Sequence, residues 1–165
     1  MEKIAGNIMS KKLIMVNYGD SVRKAYQIMQ ERKIRHLPVC DDGGAIIGIL
    51  SDRDLQRAMT PTTAKENGME DGVEFNESFL AKDFMSWPVR SISKDVSVED
   101  LAKRMLIEKV SAFLVTDHNR VALGIVTTDD LIKLLIELLK KEPDHLKHSL
   151  NAIISEFGFN SRQWE

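Results

Sequence analysis

The sequence predicts a mixed α/β (α+β) fold: two tandem β-α-β-β-α repeats packed about a pseudo-twofold axis. The first observation behind this is self-similarity. Sliding the chain by 76 residues puts Met9-Ser10 on Met85-Ser86, Ser21-Val22 on Ser97-Val98, Gly48-Ile49 on Gly124-Ile125 and Asp54-Leu55 on Asp130-Leu131. About a dozen identities fall between Met9 and Leu55 without a gap, where ordinary composition gives roughly three by chance. The second observation is that strand-like and helix-like patterns follow in the same order in each copy. The third is size. A chain of 165 residues, 43% hydrophobic, suffices for one domain or for two small modules sharing a core.

Each repeat opens on a short extended piece, Leu13 to Val16 in the first and Val89 to Ser93 in the second. A helix follows. From about Ser21 to Arg32, apolar Val22, Ala25, Tyr26, Ile28 and Met29 recur at helical spacing. In the second copy Ser97 to Asp100 forms a capping box, and Val98, Leu101, Ala102, Met105 and Leu106 make the stripe. A strand comes next, Leu37 to Cys40 and Phe113 to Thr116. Turns at Asp41-Asp42-Gly43-Gly44 and Asp117-His118-Asn119-Arg120 lead to a second strand, Ala45 to Leu50 and Val121 to Val126. A helix opening at Ser51 or Thr127 closes each unit. The reading places repeat one at 1–59, a linker at 60–79, repeat two at 80–139 and a helical tail at 140–165. Thr60 to Asn76 is polar and acidic, with Gly68 and Gly72, and reads as a solvated linker with one helical turn. Leu131, Leu134, Leu135, Leu138 and Leu139 carry one stripe past the repeat. Glu142-Pro143 breaks it, and Asp144 caps a last helix bearing Leu146, Leu150, Ile153, Ile154 and Phe157.

Composition excludes several classes. The 23 basic and 25 acidic residues nearly cancel, so no nucleic-acid partner is expected, nor a polybasic membrane patch. No apolar run reaches the roughly 20 residues of a membrane span, and the N-terminus predicts no signal peptide. The lone Cys40 forbids an internal disulfide, suits a cytoplasmic setting and reads as core. His145 and His148 sit three apart with no third ligand in view, so no metal site is expected. No P-loop, nucleophile elbow or dinucleotide fingerprint is present, and no enzyme is expected.

The most informative stretch is Gly48-Ile49-Leu50-Ser51-Asp52-Arg53-Asp54, echoed by Gly124-Ile125-Val126-Thr127-Thr128-Asp129-Asp130. In each a strand ends, a hydroxyl residue starts a helix, and a carboxylate follows on the first turn. This pattern caps a helix. It also suits a nucleoside phosphate: a carboxylate accepts both hydroxyls of a ribose diol, and a helix start with its hydroxyl meets phosphate oxygens. The adjacent glycine lets a ligand approach the backbone. Arg35 and His36, at the helix-to-strand junction, supply phosphate-binding groups. Ile34 and Val110 offer apolar faces for a purine.

The opening Ile8-Met9-Ser10 and Phe84-Met85-Ser86, the junctions Ile34 to Val39 and Val110 to Val115, and both G-I-x-S/T-x-x-D runs resemble a cystathionine-β-synthase (CBS) domain pair, a Bateman module. The layout is similar to small bacterial acetoin-utilisation CBS proteins, without their ACT domain. The resemblance implies an adenosine ligand such as AMP, ADP, ATP or an S-adenosyl compound in the cleft between repeats. It implies ribose contacts by Asp54 and Asp130, and phosphate or ribose contacts by Ser51, Thr127, Arg35 and His36. Ile14 and Arg90 would wall the adenine or reach phosphates. Ser111-Ala112 replaces Arg35-His36 in copy two, so that copy lacks phosphate cations unless Arg35 reaches across the pseudo-twofold. Unequal sites are therefore expected, the one on Ser51 and Asp54 binding better. A homodimer through the helices after each second strand, and an unknown regulated protein, complete the expectation.

Overall fold

The computed structural model describes residues 3–61 and 73–141. The expected turn inside the linker, the tail helix and the His145/His148 pair lie outside the described residues. Short helix α1 (Ala5–Ile8) precedes repeat one, which contains β1 (Val16–Asn17), α2 (Val22–Arg32), β2 (His36–Cys40), β3 (Ile46–Ser51) and α3 (Asp52–Ala58). Two strands follow, β4 (Met59–Pro61) and β5 (Val73–Phe75), then short helix α4 (Ala81–Phe84). Repeat two contains β6 (Ser91–Ser93), α5 (Val98–Glu108), β7 (Ala112–Thr116), β8 (Ala122–Thr127) and α6 (Thr128–Lys141).

The duplication holds to single-residue register. β1 runs parallel to β2 with Val16 opposite Val39, and β6 runs parallel to β7 with Ile92 opposite Val115. β2 and β3 are antiparallel with His36 opposite Ser51, and β7 and β8 match with Ala112 opposite Thr127. Both hairpins shift register at one equivalent place, Val39/Cys40 and Val115/Thr116. The long helices also end alike. Ser21 and Ser97 cap their starts, and Lys33 and Lys109 take left-handed conformations at their ends. Ser97 accepts from the Asp100 amide as expected, but the Asp100 carboxylate accepts from the Ser97 hydroxyl, not from its amide.

Two cores result, one beneath each three-stranded sheet. Leu37 and Phe113 are pseudo-equivalent, and each is fully buried at its centre. The first strands are shorter than the sequence suggests, because only Val16–Asn17 and Ser91–Ser93 pair with a neighbour. The ends of the expected linker are not solvated coil: β4 and β5 pair antiparallel from Met59–Phe75 to Pro61–Val73. Phe75 is buried in the first core and stacks at a tilt on Tyr26, 5.2 Å between ring centres.

The two repeats also exchange their leading segments. Ala5 is buried in the second core and Ala81 in the first. Ala5 donates its amide to Val96 and Ala81 donates to Asp20, both at 2.8 Å. Ser10 bridges to Ile125 of repeat two, and Ser86 bridges to Ile49 of repeat one. Each repeat is thus completed by the chain that leads into the other. Among the described residues no helix is long and apolar enough to cross a membrane.

Candidate functional site

The exchange decides what Gly48 and Gly124 do. A side chain at Gly124 would stand 2.5 Å from the Ser10 carbonyl oxygen and 3.0 Å from the Met9 sulfur. One at Gly48 would stand 2.6 Å from the Met85 sulfur and 3.0 Å from the Ser86 carbonyl oxygen. The expectation that these glycines open the backbone to a ligand is corrected. They admit the Met-Ser segment of the exchanged strand, which bonds to the neighbouring residue in both directions.

The carboxylates sit where the repeat pattern places them, on the first turn of α3 and α6. In each, Oδ2 accepts from its own cap: Asp54 from the Ser51 amide at 2.9 Å and hydroxyl at 2.6 Å, Asp130 from the Thr127 amide at 2.8 Å and hydroxyl at 2.9 Å. The Ser51 and Thr127 hydroxyl protons are therefore committed to the cap. Oδ1 is different. On Asp54 it accepts from Arg57 at 2.6 Å, and on Asp130 from Lys133 at 3.5 Å. Both cations are largely exposed, so either Oδ1 can exchange its partner for an incoming hydroxyl at small cost.

Two clefts lie between the repeats, and each is composite. The Asp54 cleft has a volume of about 880 Å³. Repeat one contributes Ile49, Ser51, Asp54 and Arg57. Repeat two and its lead-in contribute Trp87 to Arg90 and Val110, Ser111 and Ala112. The Asp130 cleft is far smaller, about 150 Å³. It joins Thr127 and Asp130 to Ile14, Ile34 and Arg35 of repeat one. Arg35 therefore does not stand beside Asp54, as the sequence order suggested. It reaches across the pseudo-twofold and pairs with Asp129, which holds its guanidinium even more firmly charged than usual. His36 borders both clefts and shares a 2.7 Å hydrogen bond with the Ser111 hydroxyl. Burial pushes its pKa down, against an opposing pull from Asp52.

The cations of the Asp54 cleft are Arg53, Arg57, Arg90 and Lys109. Arg90 pairs with Glu108, whose carboxyl is held below the usual range by Arg104 first and by Arg90 second. Sequence reasoning named only Arg90 of these four, and it missed Trp87, which is 74% exposed at the cleft wall. No local pattern in the sequence marks Trp87, because its role rests on an exposed ring beside the cavity, which only the structure shows. Among the described residues no cluster of His, Cys, Asp and Glu could hold a metal.

Comparison with known proteins agrees with this fold. The family model of the CBS domain matches twice, at residues 5–61 and 81–137. The chain belongs to the CBS-domain family. A CBS domain-containing protein of Dictyostelium discoideum is 31% identical over 143 residues, covering 87% of this chain and 98% of that one. The chain spans only 23% of a related homoserine O-acetyltransferase of Methanococcoides burtonii, at 26% identity. Among solved structures, a CBS domain pair in complex with 5′-methylthioadenosine and S-adenosyl-L-methionine superposes with a TM-score of 0.66. It is 25% identical and covers 82% of this chain and 97% of that one. A putative acetoin utilization protein from Vibrio cholerae shares the fold at the same TM-score, with 21% identity, 87% of this chain and 98% of its own covered.

Proposed function

We propose that this CBS pair is a regulatory binding module. It holds one adenosine-containing ligand in the Asp54 cleft and passes its occupancy to a partner protein. The observation that carries this reading is the open cleft of about 880 Å³ walled by both repeats, within the range that encloses a small molecule. The similar pair bound to methylthioadenosine and S-adenosylmethionine supports the adenosine part. The charge of the cleft narrows it. Arg53, Arg57 and Lys109 stand around the cavity, and they disfavour a sulfonium and favour phosphate, which points to AMP, ADP or ATP.

In this reading a ribose hydroxyl replaces Arg57 on Oδ1 of Asp54, and the released guanidinium turns to a phosphate. Trp87 and Val110 flank the base. Arg35, Ile14, Ile34, Thr127 and Asp130 belong to the smaller cleft, where a ligand must first displace the Arg35–Asp129 pair. A ligand touching both repeats shifts their relative packing only as far as its affinity differs between packings. A partner that reads this packing completes the relay.

Isothermal titration of nucleotide-free protein with AMP, ADP, ATP and S-adenosylmethionine tests the proposal. Asp54→Ala is expected to weaken nucleotide binding about 10- to 100-fold, the loss of one or two bonds to a charged acceptor. Asp130→Ala is expected to weaken it less. Heat from none of the four compounds overturns the sensor reading, and the reverse order of variants overturns the choice of cleft. A second reading, a scaffold that binds no nucleotide, is favoured by Ser111-Ala112 standing where the other repeat has Arg35-His36. Excess absorbance near 260 nm in freshly purified protein separates the two.

A further inference from the structure

The chain that leaves the closing helix of repeat one folds back over that repeat. After α3 it returns as β5, and Phe75 is buried against Tyr26 of α2. Tyr26 stands at the groove between α2 and α3, which exposed Gln30 and Gln56 also line. On repeat two the positions 76 residues on are Ala102, Leu106 and Ile132. The face there is apolar and, among the described residues, uncovered. Leu106 is 79% exposed and Ile132 is 54% exposed, and Leu135 and Ile136 continue the stripe along α6. Leu134 faces the core from the same helix, so α6 is apolar on two sides, which a lone surface helix is not.

We infer that residues 144–157 cover this face. They return antiparallel along α6 as an amphipathic helix and seat Leu146, Leu150, Ile153, Ile154 and Phe157 between α5 and α6. Three observations select this segment. Its apolar residues recur at steps of four, three, one and three, the spacing of a single helical stripe. Its length fits: Asp144 to Phe157 has as many residues as the 14 of α6, about 21 Å at helical rise. Only Glu142-Pro143 separates it from Lys141. Proline cannot continue α6, and a two-residue connection suits an antiparallel helix pair. So short a tether also holds the segment at high local concentration beside α6, an advantage that a second copy or a foreign helix lacks. Repeat two is then closed by the chain that follows it, as repeat one is closed by β5. The α6 face that the sequence assigns to a homodimer is filled from within the chain. This inference rests on the helical faces and the tail's sequence and is independent of the ligand reading.

Hydrogen exchange of the full chain tests the docking. The amides of residues 144–157 are expected to exchange about tenfold or more slowly than those of an unstructured chain. Leu106→Asp combined with Ile132→Asp, exposed changes that leave both cores intact, is expected to abolish that protection while the strand amides of both sheets keep theirs. Cross-linking tests the orientation. In a Cys40→Ala background carrying Ile136→Cys and Lys147→Cys, a short bifunctional maleimide is expected to join the two within one chain. Mixed isotope-labelled and unlabelled protein is then expected to give no link of mixed mass. Tail amides that exchange as in an unstructured chain overturn the inference. Protection that survives the Leu106 and Ile132 changes also overturns it, because the tail would then sit elsewhere. Absence of the intrachain link overturns the antiparallel return, and links formed chiefly between chains would give the face to a second copy.

Discussion

The Asp54 and Asp130 clefts are built on one backbone plan, yet one measures about 880 Å³ and the other about 150 Å³. A difference in side chains at the mouths accompanies the difference in volume. At the mouth of the smaller cleft Arg35 and Asp129 pair across the repeats. The positions equivalent to them at the larger cleft hold Ser111 and Arg53, which have no such attraction. Ser111 instead bonds to His36 at the pseudo-axis. The repeats thus share register and caps while differing at the rims of their clefts. A fold copied twice does not give two equal sites.

The comparison breaks most readily at the glycines where the leading segments cross. Gly124→Ala is expected to cost about 1–3 kcal/mol, the usual range for overpacking, because its closest obstacle is the backbone oxygen of Ser10 at 2.5 Å. Gly48→Ala should cost less. Its closest obstacle is the Met85 sulfur, on a side chain that can turn away. Urea denaturation of both variants checks the order. Equal losses would mean that the two crossings tolerate crowding alike and that the exchange is symmetric in strength.

These glycines also mark the limit of what one sequence reveals. The 76-residue repeat made the elements legible in order, because each local pattern carries its own period and its own cap. Asp54 and Asp130 were legible as cap residues for the same reason. The crossing of Met9-Ser10 onto repeat two was not legible, since no local pattern says which of two similar sheets a flanking segment joins. Once that crossing is known, the clefts become composite, and Arg35 falls beside Asp129 although 94 residues separate them. Trp87, Arg53, Arg57 and Lys109 were passed over because their role depends on the cavity, not on their neighbours in sequence. Phe75 was read as linker because its partner Tyr26 lies far off in the chain.

A smaller effect separates the repeats by pH. His36 is a half-buried titrating group at the pseudo-axis, and its counterpart is Ala112. Its pKa in the folded protein lies below the ordinary 6.5 because burial disfavours the imidazolium, with Asp52, Asp129 and Asp54 opposing this and Arg35 adding to it. The unfolded chain therefore takes up the proton first as pH falls. The stability carried by neutral His36 is full above about 6.5 and is lost as pH drops through that value toward the folded pKa. Denaturation between pH 8 and 5 should show this slope, and His36→Gln should flatten it. A slope unchanged by the substitution would place the titration elsewhere.

The smallest expected stability change sharpens the comparison furthest. Arg35→Ser gives repeat one the residue that repeat two carries at the equivalent place. Arg35 and Asp129 are both about half exposed, with side-chain accessibilities of 54% and 43%. Loss of such a pair alters folding stability by under about 1 kcal/mol, and thermal melting should barely move. The cleft should nevertheless widen, because the bond that draws the repeats together at that mouth is gone. Titration with AMP is the measure: a second, weaker binding event beside the first is expected, with Asp130→Ala removing it. If the variant binds as the parent does, the narrowness of the Asp130 cleft lies in the backbone packing of the repeats and not in the ion pair. If the first event weakens instead, the two clefts communicate through His36, which borders both, and must be treated as one coupled site.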